Sequence, residues 1–314
     1  MMSTGDWYSG RDEGSEGWDR GVWCAYIRVS AQTDAPNPRR PAFFGDSERP
    51  TMPSGAPPTA IRWLHVPKAG SAFINVAARF GCRDVEPAAL PAFEVALNFT
   101  RWRESNPHVR CPGLLPSWAG HRPVQKHELR QRVLVAIFRR PAQRLLSGFH
   151  HREDGHPQSM IAPGMAPAQR LAMRRACRGD PGAYARWPGI AGCATKMILG
   201  WSCASDRALR PADVSRAVRV MRDHFAYVGL TEHWETSVCV FHRMMRQPGG
   251  PSPSELALTH LGPLRTHHST PAAFEYDESP LRGFTDEADE AVYAAVSERF
   301  WADARRTGCA NLHS

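Results

Sequence analysis

Apolar residues in this chain fall into a few short continuous runs, separated by longer stretches where they recur every third or fourth position. Three runs have strand length: Ile61 to Val66 (IRWLHV), Val133 to Phe138 (VLVAIF) and Phe225 to Leu230 (FAYVGL). The second is apolar throughout, which suits a strand buried on both faces in a parallel sheet. After the first run, Phe73, Ile74, Ala77 and Phe80 fall at helical spacing. After the second, Pro141 suits a helix's first turn, and Ala142 to His151 places Leu145, Leu146 and Phe149 on one face.

Further helices are expected over Phe93 to Trp102, Pro167 to Cys177, Cys193 to Leu199 and Ala212 to His224. Thr231 is read as the N-cap of a helix whose Trp234, Val238, Phe241 and Met245 face inward. A last helix starts at Thr285 or Asp286 and reaches about Arg306, with Val292, Val296 and Phe300 inside. Strands alternating with helices predict an α/β domain around a mostly parallel sheet. It occupies residues 59–310. Residues 1–58 are rich in Gly, Ser, Asp and Pro with little periodicity, and read as a disordered or loosely attached leader, with one short strand at Trp23 to Val29.

Composition narrows the partners. The 314 residues carry a formal net charge of +8, so anionic partners are expected: nucleic acid, an acidic polysaccharide or a phosphorylated cofactor. No apolar run is long enough to cross a membrane as a helix, and the N-terminus has no apolar core like that of a signal peptide. None of the eight cysteines forms a C-x-x-C pair, which speaks against a zinc ribbon. Their even number permits disulfides; Cys193 and Cys203 could close a small loop in an oxidising lumen. His150, His151 and His156, or His267 and His268, fit no common tetrahedral metal spacing.

The chemistry concentrates after the first strand. Pro67-Lys68-Ala69-Gly70-Ser71 joins it to a helix, so the free amides of the helix's first turn face a loop of small residues beside a lysine. Such a loop can cradle a phosphate or sulfate. It does not have the G-x-x-x-x-G-K-[ST] spacing of a nucleoside-triphosphate loop. After the second strand come Arg139, at its carboxyl end, and Ser147, two turns into the next helix; a charged fork and a neutral donor there could hold a second phosphate. Read alone, each stretch is equally a basic turn or a helix start with exposed charge.

Together, HVPKAGSAFIN and FRRPAQRLLS resemble the 5′-phosphosulfate loop and the 3′-phosphate motif, R-[DN]-P-x-x-R-x-x-S, of sulfotransferases. The likeness is greatest to carbohydrate sulfotransferases related to heparan sulfate 2-O-sulfotransferase. It continues through GHRPV, FAYVGLTEHWETSVCVFHRMM and DEADEAVYAAVSERF, in matching order from Ala60 to Arg306.

The resemblance implies a P-loop-like three-layer fold with a central, mostly parallel sheet. It implies transfer of a sulfuryl group from 3′-phosphoadenosine 5′-phosphosulfate to a hydroxyl, with no metal. By position, Lys68 matches the lysine at the transferring group, and Ala69, Gly70, Ser71 and Ala72 the loop around the 5′-phosphate. Arg139 and Ser147 match the 3′-phosphate ligands, Arg265 a further contact to that phosphate, and His121 the acceptor's general base. The implied partner is an acidic or neutral glycan, with no nucleic acid, and the implied location is the Golgi lumen or secretory pathway. The chain departs from the pattern at Ala72 (usually Ser or Thr), at Arg140 (usually Asp or Asn) and at Trp118, where relatives often carry a second histidine. The competing expectations are a P-loop-type kinase or nucleotide hydrolase, and a catalytically inactive polyanion-binding relative.

Overall fold

The computed structural model describes residues 57–82, 90, 96–115, 120–150, 152–153, 156–157, 165–247, 250–257 and 275–310. The expected leader over residues 1–58 lies outside them up to residue 56, as does its strand at Trp23 to Val29. So do Trp118, His151, Arg265, His267 and His268. The described residues belong to one of two units of the chain, Arg40–Ser314.

The first elements are β1 (Arg62–Trp63), α1 (Phe73–Gly81), α2 (Ala96–Ser105), α3 (Lys126–Gln131), β2 (Leu134–Phe138) and α4 (Pro141–Phe149). A small hairpin, β3 (Arg152–Glu153) and β4 (His156–Pro157), precedes α5 (Pro167–Ala176), α6 (Pro181–Ala185) and α7 (Cys193–Ile198). Then come α8 (Pro211–His224), β5 (Phe225–Leu230), α9 (Trp234–Met244), α10 (Pro253–Ala257) and α11 (Glu287–Thr307). The local signals explain several boundaries. Pro141 occupies the first turn of α4, and the Asp286 carboxylate caps α11 by accepting the Asp289 N–H.

β1, β2 and β5 form one parallel sheet in that order, with every residue of β2 buried. The sheet continues past the other edge of β1, where Ile61 makes a parallel bridge to Leu114. Its N–H donates to the Gly113 carbonyl, and its carbonyl accepts the Leu115 N–H. The chain therefore leaves β1 to one side and later returns to β2 on the other. Such a reversal opens a crevice at the carboxyl ends of the two strands, where open parallel sheets take their ligands.

The expected inward residues are buried. Phe73 of α1 lies edge-on to Trp63 and Phe241 and stacks on Tyr227, at centroid distances of 5.6, 5.2 and 5.9 Å, so α1 and α9 close on the sheet through rings. Val292, Val296 and Phe300 point α11 inward, where it packs on α7, α8, α9 and β5. Leu145, Leu146 and Phe149 instead serve a second cluster, with Met173 of α5, Tyr184 of α6 and Leu281.

Covalent links and a buried charge cluster brace this frame. Disulfides join Cys82 to Cys111, Cys193 to Cys203 and Cys239 to Cys309. Arg144 of α4, 2% exposed, lies 3.4 Å from Asp286 and 3.3 Å from Asp289. Those carboxylates also accept the N–H groups of Gly192, Ala194 and Thr195, so one ionic cluster ties α4, α7 and α11. Thr231 differs from its expected role: its hydroxyl donates to the Phe138 carbonyl at 3.0 Å, and a 3-10 turn over Thr231–His233 precedes α9. Tying the end of β2 to the end of β5 takes the hydroxyl that a cap would have used.

Candidate functional site

The loop between β1 and α1 leaves the carboxyl end of β1, against the ends of β2 and β5. Lys68 has φ +65°, a left-handed conformation that costs a residue with a β-carbon about 1–2 kcal/mol and that marks functional turns when the surroundings hold it. Gly70 follows at φ +84°. A β-carbon there would come within 3.2 Å of Ile137 and 3.3 Å of Thr231, so this position needs glycine for conformation and for space. These contacts seat the loop against the ends of β2 and β5.

The open donors are not, as expected, those of the first turn of α1 but those of the loop just before it. The N–H groups of Phe73, Ile74 and Asn75 donate to the carbonyls of Gly70, Ser71 and Ala72. Among the described residues no backbone carbonyl accepts the N–H of Gly70, Ser71 or Ala72. Ala69 is different: it is fully buried, and its N–H donates to the Val66 carbonyl at 3.2 Å. The residues available to wrap an anion are thus Gly70, Ser71 and Ala72, with Lys68 beside them.

Arg139, at the end of β2, reaches the same place. Burial first, and then the positive charge of Arg139, lower the Lys68 ammonium from 10.5 to about 8. Arg139 is itself lowered by burial, opposed by Tyr276, Glu232 and Glu275. The Tyr276 ring lies 5.7 Å from its guanidinium carbon, and Glu232 accepts the Arg140 N–H at 2.7 Å, anchoring the turn that carries Arg139. Two cations are therefore held close together and partly out of water, an arrangement that an anion would relieve. Ser147 is buried within α4, about 9 Å of helix rise beyond Pro141 at the helix start.

His121 joins the cluster from the loop before α3. Its Nδ1 lies 2.9 Å from the His65 carbonyl oxygen. A carbonyl only accepts, so Nδ1 carries the proton and Nε2 carries the lone pair. Burial lowers its pKa from 6.5, the His65 hydrogen bond opposes this, and the Lys68 charge adds to the lowering; the ring is neutral near pH 7. His65 lies between the Trp63 and His121 rings, 4.0 and 4.2 Å away, and its Nε2 is buried without a hydrogen bond. Burial, then His121, then Lys68 push its pKa well below the usual value.

Lys68, Arg139 and His121 thus converge, and the loop amides border them. His65, Glu232 and Tyr276 join them without having been singled out from sequence. His65 sat inside the HVPK run and could have been found there; Glu232 and Tyr276 arrive from distant segments that only the fold brings in. Among the described residues no group of three or more His, Cys, Asp or Glu could hold a metal ion. No family model, curated protein or solved structure matches the chain.

Proposed function

We propose that the protein is an O-sulfotransferase with a P-loop-like three-layer fold, transferring the sulfuryl group of 3′-phosphoadenosine 5′-phosphosulfate to a hydroxyl, most simply of a carbohydrate. The observation that carries this reading is the meeting of Lys68 and Arg139 at the carboxyl ends of adjacent parallel strands, each lowered in pKa by burial. Two cations brought together from the ends of different strands suit a ligand carrying more than one phosphate, and the order of the motifs agrees with the sulfotransferase resemblance.

In this reading the 5′-phosphosulfate lies on the amides of Gly70, Ser71 and Ala72, and Arg139 with Ser147 holds the 3′-phosphate. The acceptor oxygen attacks sulfur in line with the bridging oxygen. Its proton passes to Nε2 of His121, a new sulfur–oxygen bond forms, and the bond from sulfur to the bridging oxygen breaks. The electron pair stays on that oxygen, now part of the 5′-phosphate, where Lys68 offsets the charge. The products are a sulfate ester and adenosine 3′,5′-bisphosphate. The three disulfides suit an oxidising compartment such as the Golgi lumen or secretory pathway.

The test is transfer of label from radiolabelled donor to a panel of polysaccharides, with Lys68→Ala as control. The reading expects a labelled glycan from the wild type and none from a folded Lys68→Ala protein. Equal labelling by both would discard it.

A further inference from the structure

The loop that carries His121 is held by β1, and one side chain supplies most of the grip. Arg62 is 1% exposed. Its Nη2 donates to the Arg122 carbonyl at 2.6 Å and to the Pro123 carbonyl at 3.1 Å, the two carbonyls that follow His121. Its Nε lies 3.2 Å from Oε1 of Glu128, whose other oxygen accepts the Gln125 N–H at 2.8 Å. Beyond the loop, the Val124 N–H donates to the Met197 carbonyl. The chain runs on from that strand to His65, whose carbonyl accepts from His121 Nδ1.

A buried guanidinium is costly to desolvate, and burial does lower the Arg62 pKa. Lysine presents three donors from one point, whereas the arginine fork spans two carbonyls and a carboxylate at once. Merely closing the loop would not need such a fork. Fixing where the next imidazole points does, since proton transfer requires hydrogen-bond contact with the acceptor hydroxyl.

We infer that Arg62 is the positioning residue for His121: by clamping the carbonyls of Arg122 and Pro123 to β1, it registers the histidine against the lysine loop that leaves the same strand. What His121 does there rests on the sulfotransferase reading, but where it is held does not.

The full chain carrying Arg62→Lys is compared with the wild type in two measurements. Imidazole ¹⁵N NMR follows the tautomer and titration of His121 without any need for turnover. In the wild type, Nδ1 is protonated and titration occurs below 6.5. In the variant both tautomers are expected, with titration moved back toward 6.5, because the loop lifts from the strand. In the transfer assay kcat falls about tenfold or more while the dissociation constant for adenosine 3′,5′-bisphosphate holds. Should Arg62→Lys fail to fold, Arg62→Met/Glu128→Met removes both charges together, leaves no unpaired ion, and carries the same expectations. An unchanged His121 signal and unchanged kcat, with only a lower Tm, would overturn the inference. Absence of transfer in the wild type would count against the sulfotransferase reading, while the NMR still decides the role of Arg62.

Discussion

Lys68 should make anion binding fade as the solution becomes alkaline, in a range where an ordinary lysine would be indifferent. The free protein holds this ammonium at about 8 instead of 10.5. The difference corresponds to about 3 kcal/mol of disfavour for the charged form. The sign follows from the linkage. Between about pH 8 and 10.5 the unfolded chain keeps this proton and the folded chain has lost it, so the Lys68 contribution to stability rises with pH across that window. Binding runs the other way. A phosphate on the loop favours the ammonium, so binding takes up a proton above pH 8 and affinity falls by about tenfold per pH unit there. Calorimetric titration of adenosine 3′,5′-bisphosphate between pH 6.5 and 9.5, in buffers of different ionisation enthalpy, reads both quantities. Affinity should drop about tenfold between pH 7 and 9, and proton uptake should approach one per site. Lys68→Arg stays charged throughout, so its affinity should be level over the same range. A level wild-type profile, or the same drop in Lys68→Arg, would refute the electrostatic account of the loop.

Three further outcomes are expected. His121→Ala should lose about 10²- to 10⁴-fold in kcat with bisphosphate affinity kept, and the acid limb of the wild-type kcat profile, below pH 6.5 where the imidazole protonates, should vanish in the variant; initial-rate pH profiles check both. Opening the bridge with Cys239→Ala/Cys309→Ala should cost about 2–4 kcal/mol in denaturant unfolding, because that bridge closes a 70-residue span. Asp286 is raised to about 7, first by burial and then by Asp289. The folded protein therefore holds an extra proton between about pH 4 and 7, and its stability should decline with rising pH across that window; Asp286→Asn should flatten the decline in thermal melts.

The local patterns that survive folding were legible along the chain. The continuous apolar run at Val133 to Phe138 marked β2 because a strand buried on both faces has no polar side to conceal it, while the run at Ile61 to Val66, broken by Arg62 and His65, pairs as a strand only over Arg62–Trp63. The helical face at Val292 held because α11 buries one side only, whereas α1 and α9, at Phe73 and Trp234, are buried on nearly every side. Thr231 misled because two uses competed for one hydroxyl, and the β2 carbonyl, distant in sequence, won it. Arg144 sits in the phosphate-like motif by spacing, yet its guanidinium points into the protein, toward carboxylates on α11. No local signal distinguishes an arginine that binds ligand from one that neutralises buried acid. The same limit hid Arg62, which reads as a charge interrupting an apolar strand until its carbonyl partners are in place.

The central claim is that one nucleotide bridges the Lys68 loop and Arg139. Calorimetric affinities for adenosine 3′,5′-bisphosphate and the 3′- and 5′-monophosphates, in wild type, Lys68→Met and Arg139→Met, test it most directly. The account predicts that wild type binds the bisphosphate well above either monophosphate. Lys68→Met should then bind it no better than the 3′-monophosphate, and Arg139→Met no better than the 5′-monophosphate. A wild type that binds all three alike, or two variants that lose affinity for every nucleotide equally, would contradict it.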